Sequence, residues 1–181
     1  MSLFNQQPIV LQQCHTDGVF PLVLVPSHEV INFDEVAQQR EALMALLAIH
    51  GAIVFRGCDI SGDQRFDRFV TAFGLENFPY DESLSNAVRR KRTPRMFTAK
   101  EAPCDVEIFL HHEMAQTPLF PRYLFFCCEQ AAEVGGATPL CRSDVLLQRV
   151  QVSMPHFIEQ CREKGACYSL VMPGIPDQAS G

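Results

Sequence analysis

The chain has 181 residues, of which 47% are hydrophobic and 20% are charged. This composition is typical of a globular domain that buries its own core, and it excludes wholesale disorder. The net charge of −6 argues against a protein that coats nucleic acid or an anionic lipid surface. The longest apolar runs, residues 43–49 and 123–128, are far shorter than the roughly 20 residues of a membrane-spanning helix. We therefore expect a soluble protein with neither nucleic acid nor a membrane as partner.

The eight cysteines are spread through hydrophobic segments and contain no C-x-x-C pair. The beginning of the sequence shows no basic stretch followed by an apolar run, which is the pattern of a secretory signal. Reduced cysteines that serve as small hydrophobic residues are therefore the better interpretation, and we expect a cytoplasmic location.

The first predicted element is a helix that begins at Asn32, where a cap residue is followed three positions later by Glu35. Apolar residues then recur at helical spacing up to Ile49, and Gly51 suits the left-handed residue that ends many helices. The strand-forming residues at 52–57 predict a short buried strand directly afterwards.

A second helix is predicted over residues 63–73, with Ser61 as its cap and Gly74 as its terminator. Residues 75–103 follow as a polar, proline-containing stretch with no sustained period, which is typical of a lid loop. Five positive charges lie within residues 89–95 of this stretch. Two interpretations stay open: a solvated loop, or a clamp for an anionic substrate or cosubstrate.

Beyond residue 103 the pattern changes to short apolar runs bounded by turn residues, which predicts strands. The four candidate strands are residues 106–110, 122–129, 137–141 and 166–172. Two helices, over residues 143–150 and 155–164, separate the last two strands. The sequence thus predicts one α+β domain over residues 1–181, with helices first and an antiparallel sheet afterwards.

The segment that carries chemical information contains His111 and Glu113. If the strand that starts at residue 106 continues through it, both side chains project from the same face. An imidazole and a carboxylate aimed at one point form two of the three protein ligands of a 2-His-1-carboxylate site, as in non-haem Fe(II) oxygenases. His112 lies between them and points to the opposite face. A single His-x-Glu pair is common by chance, so the neighbouring segments decide whether it indicates an iron site.

Three further segments supply that context. They are Gly-Ala-Ile-Val-Phe-Arg-Gly at 51–57, the apolar strand at 123–129, and Glu-Val-Gly-Gly-Ala-Thr-Pro-Leu at 133–140. Together with Leu-His-His-Glu-Met at 110–114, this order resembles the taurine catabolism dioxygenase (TauD/TfdA) family of Fe(II)- and 2-oxoglutarate-dependent oxygenases. The Leu-His-x-Glu-Met form is similar to the branch that includes amino-acid hydroxylases of the syringomycin type. The resemblance covers roughly residues 20–168, most of the chain.

The resemblance implies a double-stranded β-helix, or jelly roll, with N-terminal helices. It implies Fe(II) as cofactor and 2-oxoglutarate as cosubstrate, in an oxidoreductase that hydroxylates a C–H bond of a small molecule. That substrate would be an amino acid, another anionic compound or a natural-product intermediate. His111 and Glu113 would be the iron ligands, and Thr138 would hydrogen-bond the 2-oxoglutarate carboxylate.

The family places a second ligand histidine, and an arginine that binds 2-oxoglutarate, on later strands. Beyond Glu113 the sequence has one histidine, His156, in the first turn of a predicted helix and outside the expected context. We therefore expect the chain to cover the N-terminal part of the fold, with the C-terminal half of the barrel missing. Two alternatives stay open. One is a non-catalytic remnant that binds a partner, and the other is a barrel completed by strand exchange with a second copy or a separate chain.

Overall fold

The computed structural model describes residues 3–78, 89–99, 107–115 and 117–169. The chain divides into two compact units, Met1–Cys141 and Arg142–Gly181. The described elements, in chain order, are β1 (Phe4–Gln6), β2 (Gln13–His15), β3 (Gly18–Phe20), β4 (Leu22–Pro26), α1 (Phe33–Gln38), α2 (Arg40–His50), β5 (Ile53–Phe55), α3 (Asp63–Thr71), α4 (Ser143–Ser153) and α5 (Pro155–Lys164). None of the helices in the described ranges has the length and apolar character needed to cross a lipid bilayer. The mixed α and β content that the sequence predicts is confirmed.

The main sheet of the first unit is built on β4, which pairs antiparallel with β1 and parallel with β5. Leu22, Val23 and Leu24 of β4 are all at most 2% exposed. Such a continuous apolar run is typical of a strand that is covered on both faces. Four of the five described strands precede the first helix, so the expected order of helices first and sheet afterwards is wrong here. Strands of three to five residues are too short to show a clear alternating period.

A second, two-stranded sheet is the hairpin of β2 and β3, which lies over the C-terminal end of α2. His50, the last residue of α2, is 9% exposed, and its Nδ1 lies 2.7 Å from the carbonyl oxygen of Val19. Gly18 has a φ of 151°, and a Cβ at this position would come within 2.7 Å of the His50 ring. Gly51 follows with a φ of 75°, which confirms the predicted left-handed helix end.

The predicted helix that starts at Asn32 is present as two helices. Asn32 is the N-cap as expected, because its side chain accepts a hydrogen bond from the Asp34 N–H at 3.0 Å. The break falls at Gln39, whose φ of −97° and ψ of 6° end α1 and begin α2. Between the buried Val36 and Leu43 the sequence has no large apolar residue, so no core contact holds this stretch in a continuous helix.

The core of the first unit has an aromatic centre. Phe69 of α3 is 1% exposed, and its ring centroid lies 5.1 Å from that of Phe55 and 5.4 Å from that of Phe73, both edge-on. The predicted apolar face of this helix is therefore confirmed. The predicted cap at Ser61 is wrong, because α3 begins at Asp63 and the cap position falls on Gly62, which has a φ of 83°.

The segments at 107–110, 122–129, 137–141 and 166–169 form neither strand nor helix, although strands are predicted there. Residues 106 and 170–172 of those predicted strands lie outside the described residues. Several apolar side chains of these segments are exposed, for example Phe109 at 73% and Phe126 at 66%. A strand is stable only when a neighbouring strand and a covered face stabilise it, and these segments pair with no strand among the described residues. The local apolar pattern alone was therefore not sufficient to predict a strand in these segments.

The second unit is described as a pair of helices, α4 and α5, as the sequence predicts. Pro155 occupies the first turn of α5, and Gly165 follows its end with a φ of 73°. At the start of α4, the Arg142 guanidinium hydrogen-bonds the carboxylate of Asp144. This contact lowers the pKa of Asp144 from 3.8 to about 2.

Candidate functional site

His111 lies in an exposed segment without strand structure, and its ring is oriented by the backbone. The Nδ1 atom is 2.7 Å from the carbonyl oxygen of Phe109. A carbonyl oxygen only accepts hydrogen bonds, so Nδ1 is the donor, and in the neutral imidazole the lone pair lies on Nε2. Metal-binding histidines commonly have this arrangement, in which one ring nitrogen donates to a backbone carbonyl and the other binds the ion.

Glu113 has a partner that the sequence did not reveal. The Nη2 atom of Arg89 lies 3.1 Å from Oε1 and 3.2 Å from Oε2 of Glu113. The side chains are only 18% and 15% exposed, respectively, so this ion pair is largely shielded from solvent. Both carboxylate oxygens thus face a single positively charged group, in a charge-assisted contact.

The backbone reverses direction at Met114. This residue has a φ of 59°, which is unusual for a residue with a side chain, and it is 4% exposed. The carbonyl oxygen of Met114 accepts hydrogen bonds from the N–H and the hydroxyl of Thr117, both at 3.0 Å. A left-handed residue of this kind costs about 1–2 kcal/mol. The buried side chain and the turn hydrogen bonds offset that cost, and they hold the backbone in this turn directly after Glu113.

The expectation that His111 and Glu113 share one face of a strand is wrong, because the chain turns at residues 113–115 instead of continuing as a strand. Their assignment as iron ligands does not depend on that strand and stays a prediction. Among the described residues, no group of three or more His, Cys, Asp or Glu side chains is placed to hold a metal ion. The donor types present, an imidazole and a carboxylate, are those that non-haem iron takes. His111 and Glu113 therefore fit such a metal in the type of donor that each provides.

Thr138 lies in the exposed segment that follows the glycine turn. Gly135 and Gly136 have φ values of 70° and 67°, which confirms the predicted turn with positive φ. A Cβ at Gly136 would come within 2.7 Å of the Ala132 Cβ, so glycine is required there by space as well as by conformation. The described structure shows no hydrogen bond between Thr138 and His111 or Glu113, and its role toward 2-oxoglutarate stays a prediction. His156 hydrogen-bonds within α5, to Gln160 at 3.2 Å.

The basic stretch at 89–95 is fastened to α3 by acidic side chains. Arg92 Nε is 3.0 Å from an oxygen of Asp63, and Arg95 Nε is 3.7 Å from an oxygen of Asp67. The Thr93 hydroxyl also donates to Asp67, at 3.2 Å. The hydrogen bond to Asp63 raises the pKa of Arg92. Asp63 and Asp67 lie one helical turn apart, and this spacing is the sequence signal that could have identified the docking face.

The predicted lid loop is described in part, over residues 75–78 and 89–99. Its second part is a small hairpin, in which the Thr98 N–H donates to the Arg90 carbonyl at 2.9 Å and the Arg92 N–H donates to the Met96 carbonyl at 2.8 Å. Arg89 directly precedes this hairpin and is the neighbour of Arg90, which hydrogen-bonds Thr98. The rest of the predicted lid lies outside the described residues.

Two cysteines of the first unit are poor nucleophiles. Burial raises the pKa of the Cys58 thiol from 9.0 to about 11. Burial, with smaller contributions from Glu129 and Cys128, also raises the pKa of Cys127, whose Sγ lies 3.9 Å from the Ile60 carbonyl oxygen. Neither thiol has the lowered pKa that thiolate chemistry requires.

The comparisons with known proteins agree with the resemblance. The family described as "Taurine catabolism dioxygenase TauD, TfdA family" matches residues 19–170. A clavaminate synthase-like protein of Arabidopsis thaliana is 34% identical over 187 residues, covering 98% of this chain and 56% of the relative. The dapdiamide synthesis protein DdaC of Enterobacter agglomerans is 31% identical over 123 residues, covering 68% of this chain and 36% of the relative. The chain thus spans about half the length of the first relative and about a third of the second. It belongs to the TauD/TfdA family of dioxygenases.

Proposed function

We propose that the protein is an Fe(II)- and 2-oxoglutarate-dependent oxygenase, and that this chain contributes His111 and Glu113 to its iron site. The observation that carries the proposal is the orientation of His111, whose Nδ1 lies 2.7 Å from the Phe109 carbonyl oxygen, which leaves Nε2 available to bind a metal ion. The match to a dioxygenase family over residues 19–170 supports it. The third ligand would come from outside the described residues, or from sequence beyond this chain.

Each residue has a defined task in this proposal. When bound, the iron supplies the oxidising chemistry that no amino-acid side chain provides. His111 would donate the Nε2 lone pair, and Glu113 would donate a carboxylate oxygen. Thr138 would place its hydroxyl against a carboxylate of 2-oxoglutarate, since the turn at Gly135 and Gly136 brings the backbone sharply round just before it.

The substrate proposed is a small molecule of the amino-acid or natural-product class. One relative is named for dapdiamide synthesis and another as clavaminate synthase-like, which supports this class without identifying a compound. We also propose that the exposed apolar segments at 107–141 become strands of the family's double-stranded β-helix once further strands cover them. Such strands could come from additional sequence, a second copy or a separate chain.

The second candidate function is a non-catalytic binding module. The exposed side chains at 107–141, among them Phe109 at 73% and Val134 at 93%, favour it, because an exposed apolar surface is typical of protein interaction sites. A module of this kind would bind a partner through these segments and would not consume 2-oxoglutarate.

The deciding experiment measures succinate released from 2-oxoglutarate in the presence of Fe(II) and oxygen. The oxygenase proposal predicts release that is abolished by Glu113→Ala and retained in Glu129→Ala, which removes an exposed carboxylate from the same unit. Thr138→Val should raise the KM for 2-oxoglutarate, whereas Thr71→Val on α3 should not. Absence of both succinate release and Fe(II) binding that depends on His111 would leave the binding module as the better account of this chain.

A further inference from the structure

We infer that Arg89 is an internal counter-ion of Glu113 that competes with a metal ion for the same carboxylate. This inference rests on the proposed role of Glu113 as a metal ligand. Its basis is the position of Arg89 Nη2, which lies 3.1 Å and 3.2 Å from the two carboxylate oxygens. The lone pairs that would bind a divalent cation are the same ones that accept these hydrogen bonds.

The burial of the pair explains why a counter-ion is needed. The side chain of Glu113 is 15% exposed, and a carboxylate so shielded from water is costly without a positive partner. A bound metal ion would meet that requirement. In the metal-free protein Arg89 supplies the positive charge, so the carboxylate of Glu113 stays neutralised.

The hairpin that follows Arg89 is held in place by contacts of other residues. The hairpin at 90–98 is closed by its own hydrogen bonds, between Arg90 and Thr98. It is attached to α3 through Arg92 and Arg95, which are different residues from the one that contacts Glu113. Because these anchors are independent of Arg89, the loss of its contact with Glu113 leaves the attachment of the hairpin to α3 intact.

The sign of the effect on metal affinity distinguishes a competitor from a residue that positions Glu113 for the metal. If Arg89 competes, Arg89→Gln should tighten Mn(II) binding, since the metal no longer displaces a charge-assisted hydrogen bond. If Arg89 positions the carboxylate, the same substitution should weaken Mn(II) binding. Arg89→Lys keeps the charge and should stay near wild type.

The experiment is calorimetric titration of the chain with Mn(II), in the absence of oxygen and 2-oxoglutarate. We expect Arg89→Gln to lower the Kd about tenfold, the scale of one charge-assisted hydrogen bond. Arg95→Gln removes the same charge from the same hairpin but contacts Asp67, so its Kd should equal that of wild type. An unchanged or raised Kd in Arg89→Gln overturns the inference.

A second readout needs no metal. Arg89→Gln, Glu113→Gln and the double variant are compared by their midpoints of unfolding in urea. Contacting residues are coupled, so the double variant should lose less stability than the sum of the losses in the two single variants. Strict additivity overturns the ion pair itself.

The Mn(II) titration separates this inference from the proposed metal site. Mn(II) binding that depends on His111 but is unaffected by Arg89→Gln overturns this inference alone. No Mn(II) binding in any variant overturns both the inference and the proposed metal site.

Discussion

The first unit contains two regions with opposite burial, residues 3–78 and residues 107–141. In the first, β4 and α3 bury their apolar side chains almost completely, with Val23 at 0% and Phe69 at 1% exposure. In the second, Phe109, Phe126 and Val134 are 73%, 66% and 93% exposed. Both regions are rich in apolar residues, but most of the large apolar side chains of the second region stay exposed in the described structure.

The difference shows what an apolar sequence pattern requires. Residues 3–78 contain a central strand, two flanking strands and helices that cover them, so a core closes locally. Residues 107–141 contribute Phe125 to that core, through a ring contact of 5.2 Å with Phe73, while other aromatic side chains of this region face solvent. Apolar segments form strands when other strands are present to pair with them.

The largest expected effect comes from the aromatic centre of the first region. Phe69→Ala should lower the free energy of unfolding by about 3–5 kcal/mol, because it leaves a cavity among buried rings. Phe126→Ala, in the second region, should change it by less than about 0.5 kcal/mol, because its ring is already in solvent. Urea unfolding followed by circular dichroism measures both. A comparable loss in the two variants would contradict the contrast in burial.

A smaller effect is expected at the hairpin that covers α2. Gly18→Ala should destabilise the chain by about 1–3 kcal/mol, since the new Cβ meets the His50 ring at 2.7 Å and the φ of 151° disfavours a side chain. Gly57→Ala is the matched control, because its φ is 70° but no atom lies within 4 Å of the added Cβ. The difference in urea midpoint between the two variants isolates the contact with His50. Equal midpoints would mean that the hairpin does not press on this ring.

The buried thiol of the first region should react slowly. With a pKa of about 11 instead of 9.0, Cys58 has a thiolate fraction at pH 8 roughly 100-fold below that of an ordinary cysteine. We expect alkylation at the half-buried Cys58 to lag well behind that at the exposed Cys14, as measured by peptide mass spectrometry. Because the pKa is raised in the folded state, this thiol stabilises the fold fully below pH 9 and loses that contribution as the pH rises toward 11. Equal alkylation rates would contradict the burial of Cys58.

The smallest effect is expected in the second unit. The pKa of Asp144 is lowered to about 2 by Arg142, so its contribution to stability is present above pH 4 and is lost as the pH falls toward 2. Titration of the Asp144 side chain by NMR should show the low pKa, and Arg142→Gln should return it toward 3.8. An unchanged value in Arg142→Gln would contradict the assigned cause.

The sequence predicted those features that depend on neighbours along the chain. The phenylalanine face of α3, the strand β5 and the left-handed Gly51 were all predicted from local patterns, and all are confirmed. The strands β1 to β4 were missed, and pairing such as that of Phe4 in β1 with Pro26 in β4 is not visible in a local sequence pattern. The strands predicted at 122–129 and 137–141 have a clear local pattern, but no strand among the described residues pairs with them.

The candidate site likewise has a part that the sequence predicted and a part that it did not. His111 and Glu113 were identified from a short motif, whereas the ion pair between Glu113 and Arg89 joins residues that are 24 positions apart. No local pattern predicts a contact over that distance, and the basic stretch therefore read as a solvated loop or an anion clamp. The structure shows three of its arginines, Arg89, Arg92 and Arg95, held by carboxylates of the chain itself.

The central claim is that His111 and Glu113 form part of a metal site, and neighbouring histidines provide its most direct test. Fe(II) binding is measured without oxygen, by calorimetry, for wild type, His111→Ala and His112→Ala. His111→Ala should abolish binding, and His112→Ala should leave the Kd unchanged. Binding that survives His111→Ala, or that is lost equally in both variants, would contradict the assignment of His111 as the ligand.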